Sequence, residues 1–495
     1  MKSLTLLTIR LKIKDFQKTF VLLYYFIILL SHYVVIGRVL PYPQSGADIS
    51  THLKHAENLI LNRYHYNAYY SLGFHVLLST LYVLNDRYTI YQIAGVLIFV
   101  NMVMMFFLYV FVRRLFSLSV AAFFATLLMS GGNFTWIRLL PCIYMSDYVD
   151  SYKCFNPFEA LLFNSLYNIS NYFLIQFTTV SLSLTLIYFL LPMLINRNWI
   201  LYTLNKVLVI LVIAFIYLIH PLYAIILPFF LIFICIPAYY LKEGNYLSDH
   251  SKFLFLSLCG SGFIPSLIAY LADNSSPTYR FQVFMFSLLN AVLSLIVFAF
   301  LKNVCTIIER FRSIFFPLIN LARYFFVIVL SIYAYSLYLL HSMKDLNAWS
   351  LILQPTPIWL YPVIIGVGPL LIIGLAVFSK NKKLDILLMW FLVFPFLFVI
   401  VAPLIDYINF SLLGFYIGEY FMYSGVTSGR LLALANLLYS ITAGCAVGYS
   451  FKKNSVGRYK VIMLATVTMM IVPNIIVSLK YWSTIYQLLL PKLHS

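Results

Sequence analysis

Apolar runs of about 20 residues recur along the whole chain, separated by short polar connectors. An α-helix needs a run of about that length to cross the hydrocarbon core of a bilayer, which is about 30 Å thick. The pattern therefore predicts an all-α polytopic membrane protein, with a single transmembrane domain over 1–495 and no soluble C-terminal domain. About thirteen transmembrane helices are expected, near 20–38, 89–112, 117–133, 171–194, 202–219, 222–241, 253–272, 281–301, 322–340, 358–379, 385–404, 431–450 and 461–480.

One apolar segment, YYSLGFHVLLSTLYVL at 69–84, is shorter than the others. If it crossed the membrane, every later loop would change sides, so the distribution of Lys and Arg decides between two topologies. When the segment lies along the outer interface, two thirds of the 33 basic residues fall on the inner side. When it crosses, the basic stretches FSKNKK and SFKKNSVGRYK lie outside, against the positive-inside rule. An interfacial helix is therefore predicted.

The resulting topology has a cytoplasmic N-terminus at 1–19 and an outer C-terminus. Its longer outer loops lie at 39–88, where juxtamembrane helices are expected, and at 134–170 and 405–430. Most of the 15 acidic residues and nine histidines fall on the outer side, which is where acid–base chemistry is expected. The formal charge of +18 then reflects membrane orientation, so no nucleic-acid partner is predicted. We expect an integral protein of the plasma membrane.

The first outer loop holds the main candidate site, in SGADISTHLKHAENLI at 45–60. Asp48, His52 and His55 are spaced i, i+4 and i+7, which places all three on one face of a helix. A carboxylate with nearby imidazoles can act as a general base, or can hold a divalent cation with help from another loop. The alternative is an amphipathic interfacial helix whose polar face contains histidines. Glu57 lies off this face and is expected to be solvated.

The second outer loop contains CIYMSDYVDSYKC at 142–154. Cys142 and Cys154 can form a disulfide on the outer side, pinning a loop that carries Asp147 and Asp150. The alternative is two unpaired cysteines in a solvated acidic loop. Either aspartate is a candidate second acid beside Asp48, and the sequence does not rank one above the other.

Arg430 begins a late predicted span, in SGVTSGRLLALANLL at 424–438. A guanidinium at the outer mouth of a span can bind a phosphate group through two hydrogen bonds. The alternative is an arginine that extends to the interface, which is common at the ends of spans. Arg430 is therefore the candidate for binding a phosphate at headgroup depth.

Four stretches together resemble the GT-C superfamily of membrane glycosyltransferases, which use polyprenyl-phosphate-linked sugars. Its members include the protein O-mannosyltransferases and the aminoarabinose transferases. The stretches are the acid soon after the first span (Asp48 in SGADISTH), the interfacial segment 69–84, the passage FVRRLFSLSVAAFFATLLMS and the Arg-led GRLLALANLLYS. Two departures stand out: Ile49 occupies the place of the usual second acid, and no WWDYG-like motif occurs, so an oligosaccharyltransferase is not expected.

The resemblance implies an enzyme that moves a sugar from a polyprenyl-phosphate donor to an acceptor glycan, lipid or protein on the outer face of the membrane. Asp48 would be the base and Arg430 the cation that stabilises the phosphate. A divalent cation, Mg²⁺ or Mn²⁺, is the only candidate cofactor. From their spacing, His52 and His55 are candidates for contacting the metal or the substrate, and their role stays open. Two other classes stay open. A secondary transporter predicts internal repeats, and a glycan polymerase or ligase of another family predicts a site in the late outer loop.

Overall fold

The computed structural model describes part of the chain: residues 47–61, 63, 72–83, 103, 105–115, 119–131, 136–151, 154, 179–195, 202–220, 227–234, 250–271, 277–315, 331–332, 334–335, 338, 361, 370–373, 382–407, 435, 438–448, 451 and 457–493. Within these ranges every regular element is a helix and no strand occurs. The all-helical class is therefore confirmed for this part of the chain. The expected total of about thirteen spans stays a prediction.

Twelve helices have both ends within the described residues, and most of them are largely apolar. They are α1 (Ala47–Ile60), α2 (Leu72–Val83), α3 (Ser119–Gly131), α4 (Trp136–Tyr144), α5 (Thr179–Ile195), α6 (Thr203–Ile219), α7 (Ser251–Gly262), α8 (Ile264–Leu271), α9 (Pro277–Lys302), α10 (Val304–Phe315), α11 (Lys382–Tyr407) and α12 (Gly457–Leu493). Further helical segments lie at 105–115, 227–234 and 438–448.

Two stretches in the described ranges are helical, long and apolar enough to cross a membrane: Ser251–Leu271, formed by α7 and α8, and Val283–Lys302 within α9. Both coincide with predicted spans, at 253–272 and 281–301. They are the structural support for a membrane-associated chain. The orientation of the chain and the type of membrane stay predictions.

The helices divide into two compact units, one built from Leu40–Leu115 and Gln176–Ser313 and the other from Met1–Val39, Phe116–Ile175 and Ile314–Ser495. In the first unit, α7 ends and α8 begins around Phe263, whose N–H donates to the Gly260 carbonyl. Side chains of α9 satisfy carbonyls near this break. Ser287 Oγ donates to the Gly262 carbonyl at 2.7 Å, and Asn290 Nδ2 donates to the Leu258 carbonyl at 2.8 Å. Buried polar side chains thus join the helices, as is common between transmembrane helices.

In the second unit, small residues allow α3 and the helical segment 438–448 to approach closely. A Cβ atom added at Gly448 would lie 2.5 Å from the Cα of Ala121, and one added at Gly444 would overlap the backbone of Ala125. Contacts between small residues are typical of closely packed membrane helices. The last helix of this unit, α12, runs for 37 residues to Leu493, beyond the predicted end of that span at 480.

Candidate functional site

The predicted interfacial helices of the first outer loop are α1 and α2, and they pack against each other within the first unit. Their apolar sides join a buried cluster with α5 and α6, formed by Ala56, Phe74, Leu78, Leu182 and Ile219. The predicted helical spacing of Asp48, His52 and His55 agrees with the observed bounds of α1, Ala47–Ile60. The site region is therefore an ordered helix pair seated on two longer apolar helices.

Helix α2 lies directly against α6. A Cβ atom added at Gly73 would lie 2.9 Å from the Cβ of Leu218 and 3.0 Å from its carbonyl carbon, so glycine permits this approach. Phe74, the next residue, is fully buried. The 12 residues of α2 rise about 18 Å, less than the ~30 Å of a hydrocarbon core. Helix α2 is thus held in place by its contacts with α6, and α1 packs against it.

Three histidines meet at the contact between α1 and α2. His52 Nδ1 lies 2.8 Å from His75 Nε2, and the ring of His55 stacks on that of His75 with centroids 5.2 Å apart. His75 is fully buried and His52 is 7% exposed. A direct bond between two imidazoles requires one ring to donate its N–H and the other to accept, so the pair is formed by neutral rings or by one neutral ring and one imidazolium.

The surroundings favour the neutral form of all three rings. Burial, and next the charge on His55, lower the pKa of His52 to about 4. Burial lowers the pKa of His75 to about 2, with added repulsion from His52 and His55. The pKa of His55 is lowered by burial and by the neighbouring Lys54. A buried imidazolium loses its hydration and meets like charges, so the cluster is uncharged at neutral pH.

A serine hydroxyl provides a second polar link between the same helices. Ser79 Oγ lies 3.0 Å from the carbonyl oxygen of Ala56 in α1 and 2.7 Å from that of His75 in its own helix, so its single proton is shared between them. Ser79 is buried. The α1–α2 contact is therefore held by hydrogen bonds as well as by apolar packing.

Asp48 lies in the first turn of α1, and its side chain is outside the described part of the structure. Position 48 precedes His52 by one turn, so both positions share a helix face. Of the predicted residues, the structure brings His52 and His55 together. It adds His75, which is not among the residues predicted from spacing. The signal for it was a lone imidazole in the apolar stretch LGFHVLLSTLYV, because a buried polar side chain needs a partner.

The histidine cluster does not fit the candidate cofactor. Mg²⁺ and Mn²⁺ favour carboxylate, carbonyl and water oxygens, whereas His52, His55 and His75 offer imidazole nitrogens. Within the residues described, no group of three His, Cys, Asp or Glu side chains is arranged to hold a metal ion. The side chain of Asp48 lies outside the described residues, so a divalent cation bound with its help stays a prediction.

The second candidate region, in the other unit, is a loop closed by a disulfide between Cys142 and Cys154, whose Cα atoms lie 5.5 Å apart. Asp147 and Asp150 are both exposed in this loop. Asp147 Oδ1 accepts hydrogen bonds from the backbone N–H groups of Val149, at 2.6 Å, and Asp150, at 3.3 Å. The Asp147 carboxylate therefore caps a helical turn.

The disulfide loop is also bound to α12 within its own unit. Ser151 Oγ donates to the carbonyl of Cys142 at 3.1 Å and lies 3.3 Å from Thr484 Oγ. Lys480 Nζ donates to the carbonyl of Met145 at 3.3 Å. Where α12 continues past residue 480, its polar side chains Lys480 and Thr484 thus have partners in the disulfide loop. Arg430 lies outside the described residues.

Comparison with known proteins adds no assignment. No protein family, no curated protein and no solved structure matches the chain. The resemblance to the GT-C superfamily therefore rests on the four sequence stretches alone.

Proposed function

We propose that the protein is a membrane glycosyltransferase that moves a sugar from a polyprenyl-phosphate donor to a hydroxyl-bearing acceptor at the outer face of the membrane. Asp48 is the base in this proposal, and the helix pair α1–α2 is its support. The acceptor is a glycan, a lipid or a protein, and the bilayer supplies the donor.

The proposed step is a displacement at the anomeric carbon of the donor sugar. The Asp48 carboxylate accepts the proton of the acceptor hydroxyl as the acceptor oxygen bonds to the anomeric carbon. The bond from that carbon to the phosphate oxygen breaks, and polyprenyl phosphate leaves with the electron pair. A cation stabilises the charge on the phosphate, and Arg430 is the residue proposed for this role. The proton on Asp48 then passes to water, which restores the base.

One observation carries the proposal: the acid that follows the first predicted span lies on an ordered helix that is anchored to a second short helix. A base must be held within hydrogen-bond reach of the proton it accepts, and a helix with buried contacts meets this need better than a mobile loop. In α1, the anchoring contacts through His52 begin one turn from Asp48. The neutral imidazoles add no competing charge at neutral pH.

The test uses the full-length protein in its membranes and a panel of tritium-labelled donors: polyprenyl phosphates carrying mannose, glucose or galactose. Transfer is measured as label moved to acid-stable products and as release of free polyprenyl phosphate. We expect Asp48→Asn to lower transfer by about 10²-fold or more, since positioned acid–base groups contribute on that scale.

Glu57→Gln is the matched control, because Glu57 is an exposed acid on the same helix. It removes the same charge from α1 and should leave transfer unchanged. Full transfer by a normally expressed Asp48→Asn protein would refute the role of Asp48. No transfer by the wild type with any donor would refute the proposed activity and would favour a transporter, which moves solutes without consuming a donor.

A further inference from the structure

Helix α2 provides a fixed reference for the position of α1. Gly73 lies against the backbone of α6, and Phe74 and Leu78 are buried in the cluster shared with α5 and α6. Moving α2 would disrupt this packing, because close-packed interiors resist even small displacements. The position of α1 therefore depends on the links that join it to α2.

Two of these links lie at different distances from Asp48 along α1. The Ser79 hydroxyl bonds to the carbonyl of Ala56, two turns after Asp48, where Ala56 is also buried. The bond from His75 to His52 lies only one turn after Asp48. The first link holds the middle of α1, and the second holds the turn that adjoins the proposed base.

We propose that His75 is a positioning residue: through its hydrogen bond to His52 it fixes the first turns of α1 and hence the place of Asp48. This role rests on the proposed function, in which Asp48 is the base. His75 does not touch the reacting atoms; it acts through His52. The fully buried imidazole suits this task, because its ring is rigid and its Nε2 atom reaches across the helix contact.

The variants separate the hydrogen bond from the volume of the ring. His75→Phe keeps an aromatic ring and removes Nε2, whereas His75→Gln places an amide nitrogen near the position of Nε2. We expect His75→Phe to lower kcat by about 10- to 100-fold with KM changed less than about twofold, since a shift of about 1 Å in a reacting group costs on that scale. His75→Gln should retain most of the activity.

Ser79→Ala is the matched control, since it removes the other polar link between the same helices. It should leave kcat within about twofold of the wild type, although it loosens the middle and end of α1. The double variant of His52→Phe and His75→Phe should be no slower than His75→Phe alone, because both changes remove one bond. Unchanged kcat in His75→Phe, or an equal loss in Ser79→Ala, would overturn the proposal.

A structural measurement separates this inference from the proposed activity. Hydrogen exchange of the full-length protein in detergent micelles measures the exchange rates of the backbone amides at 51–53. In an α-helix these amides donate hydrogen bonds to the carbonyls at 47–49. His75→Phe should speed their exchange about fivefold, the effect of losing one neutral hydrogen bond, and His75→Gln should not. Ser79→Ala should instead speed the exchange of the amides at 58–60.

The two failures then have different signatures. If the wild type transfers no sugar but the exchange pattern follows these expectations, the proposed activity is wrong and the control of the Asp48 turn by His75 stands. If the wild type transfers sugar and His75→Phe changes neither kcat nor the exchange at 51–53, the positioning role is wrong and the activity stands.

Discussion

Acidification should weaken the α1–α2 contact, because its histidines are buried in the neutral form. The folded-state pKa values of His52 and His75 lie at about 4 and about 2, below the ordinary value of 6.5. An opened helix pair therefore binds protons that the closed pair does not. The closed state has its full stability above pH 6.5, and it loses stability as the pH falls from there toward 4.

The size of the effect follows from the distance between the working pH and 6.5. At pH 5 each neutral histidine costs the closed state about 2 kcal/mol, since one pH unit corresponds to about 1.4 kcal/mol. His52 and His75 together contribute up to about 4 kcal/mol, and His55, whose pKa is also lowered, acts in the same direction. Hydrogen-exchange protection of α1 should then fall between about 30-fold and about 10³-fold from pH 7 to pH 5, after correction for the intrinsic exchange rate.

The assay is hydrogen exchange of the protein in detergent micelles at several pH values, with peptides from α1 and α9 followed together. Peptides from α9 serve as an internal reference. In His75→Gln one of the titrating groups is gone, so the pH dependence in α1 should be less steep than in the wild type. Protection of α1 that stays constant from pH 7 to pH 5, or an equal slope in His75→Gln, would refute the reasoning.

Two further predictions concern packing and capping. Gly448→Ala should lower the thermal stability of the purified protein by about 1–3 kcal/mol, because its Cβ would meet the backbone of Ala121. At Gly260, no atom of the described residues outside the neighbouring backbone of its own helix lies within 4 Å of the added Cβ. Gly260→Ala should therefore raise stability by about 0.5–1 kcal/mol, and a loss there would contradict the packing argument. Asp147→Ala should speed amide exchange of the turn after residue 147 about fivefold by removing its cap. Asp147→Asn keeps an acceptor and should not, so an equal effect of both changes would show that the charge, not the cap, matters.

The sequence could predict the helix of the first outer loop because its signals are local. The spacing of Asp48, His52 and His55 involves residues of a single helix, and all three positions lie in α1. His75 comes from a separate segment, and spacing within one helix does not reveal a partner 23 residues away. The mean hydropathy of the short apolar segment is also dominated by the neighbours of His75, so it gives no sign of this histidine.

The end of the last predicted span shows a different limit. The apolar pattern predicts a last span at 461–480. In the structure α12 continues to Leu493, and Lys480 and Thr484 find polar partners in the disulfide loop. Helical hydrogen bonds need only neighbouring residues, whereas the partners of polar side chains depend on the tertiary fold, which hydropathy does not encode.

The bond between Cys142 and Cys154 also bears on how each molecule is made. Such a bond closes where an oxidant is present and stays open in the reducing cytosol. If the chain were inserted with this loop on the cytosolic side, Cys142 and Cys154 would stay thiols. The buried Cys445 is a thiol in the structure and would stay one in either orientation. The oxidation state of Cys142 and Cys154 in a given molecule therefore reports whether the disulfide loop reached an oxidising compartment.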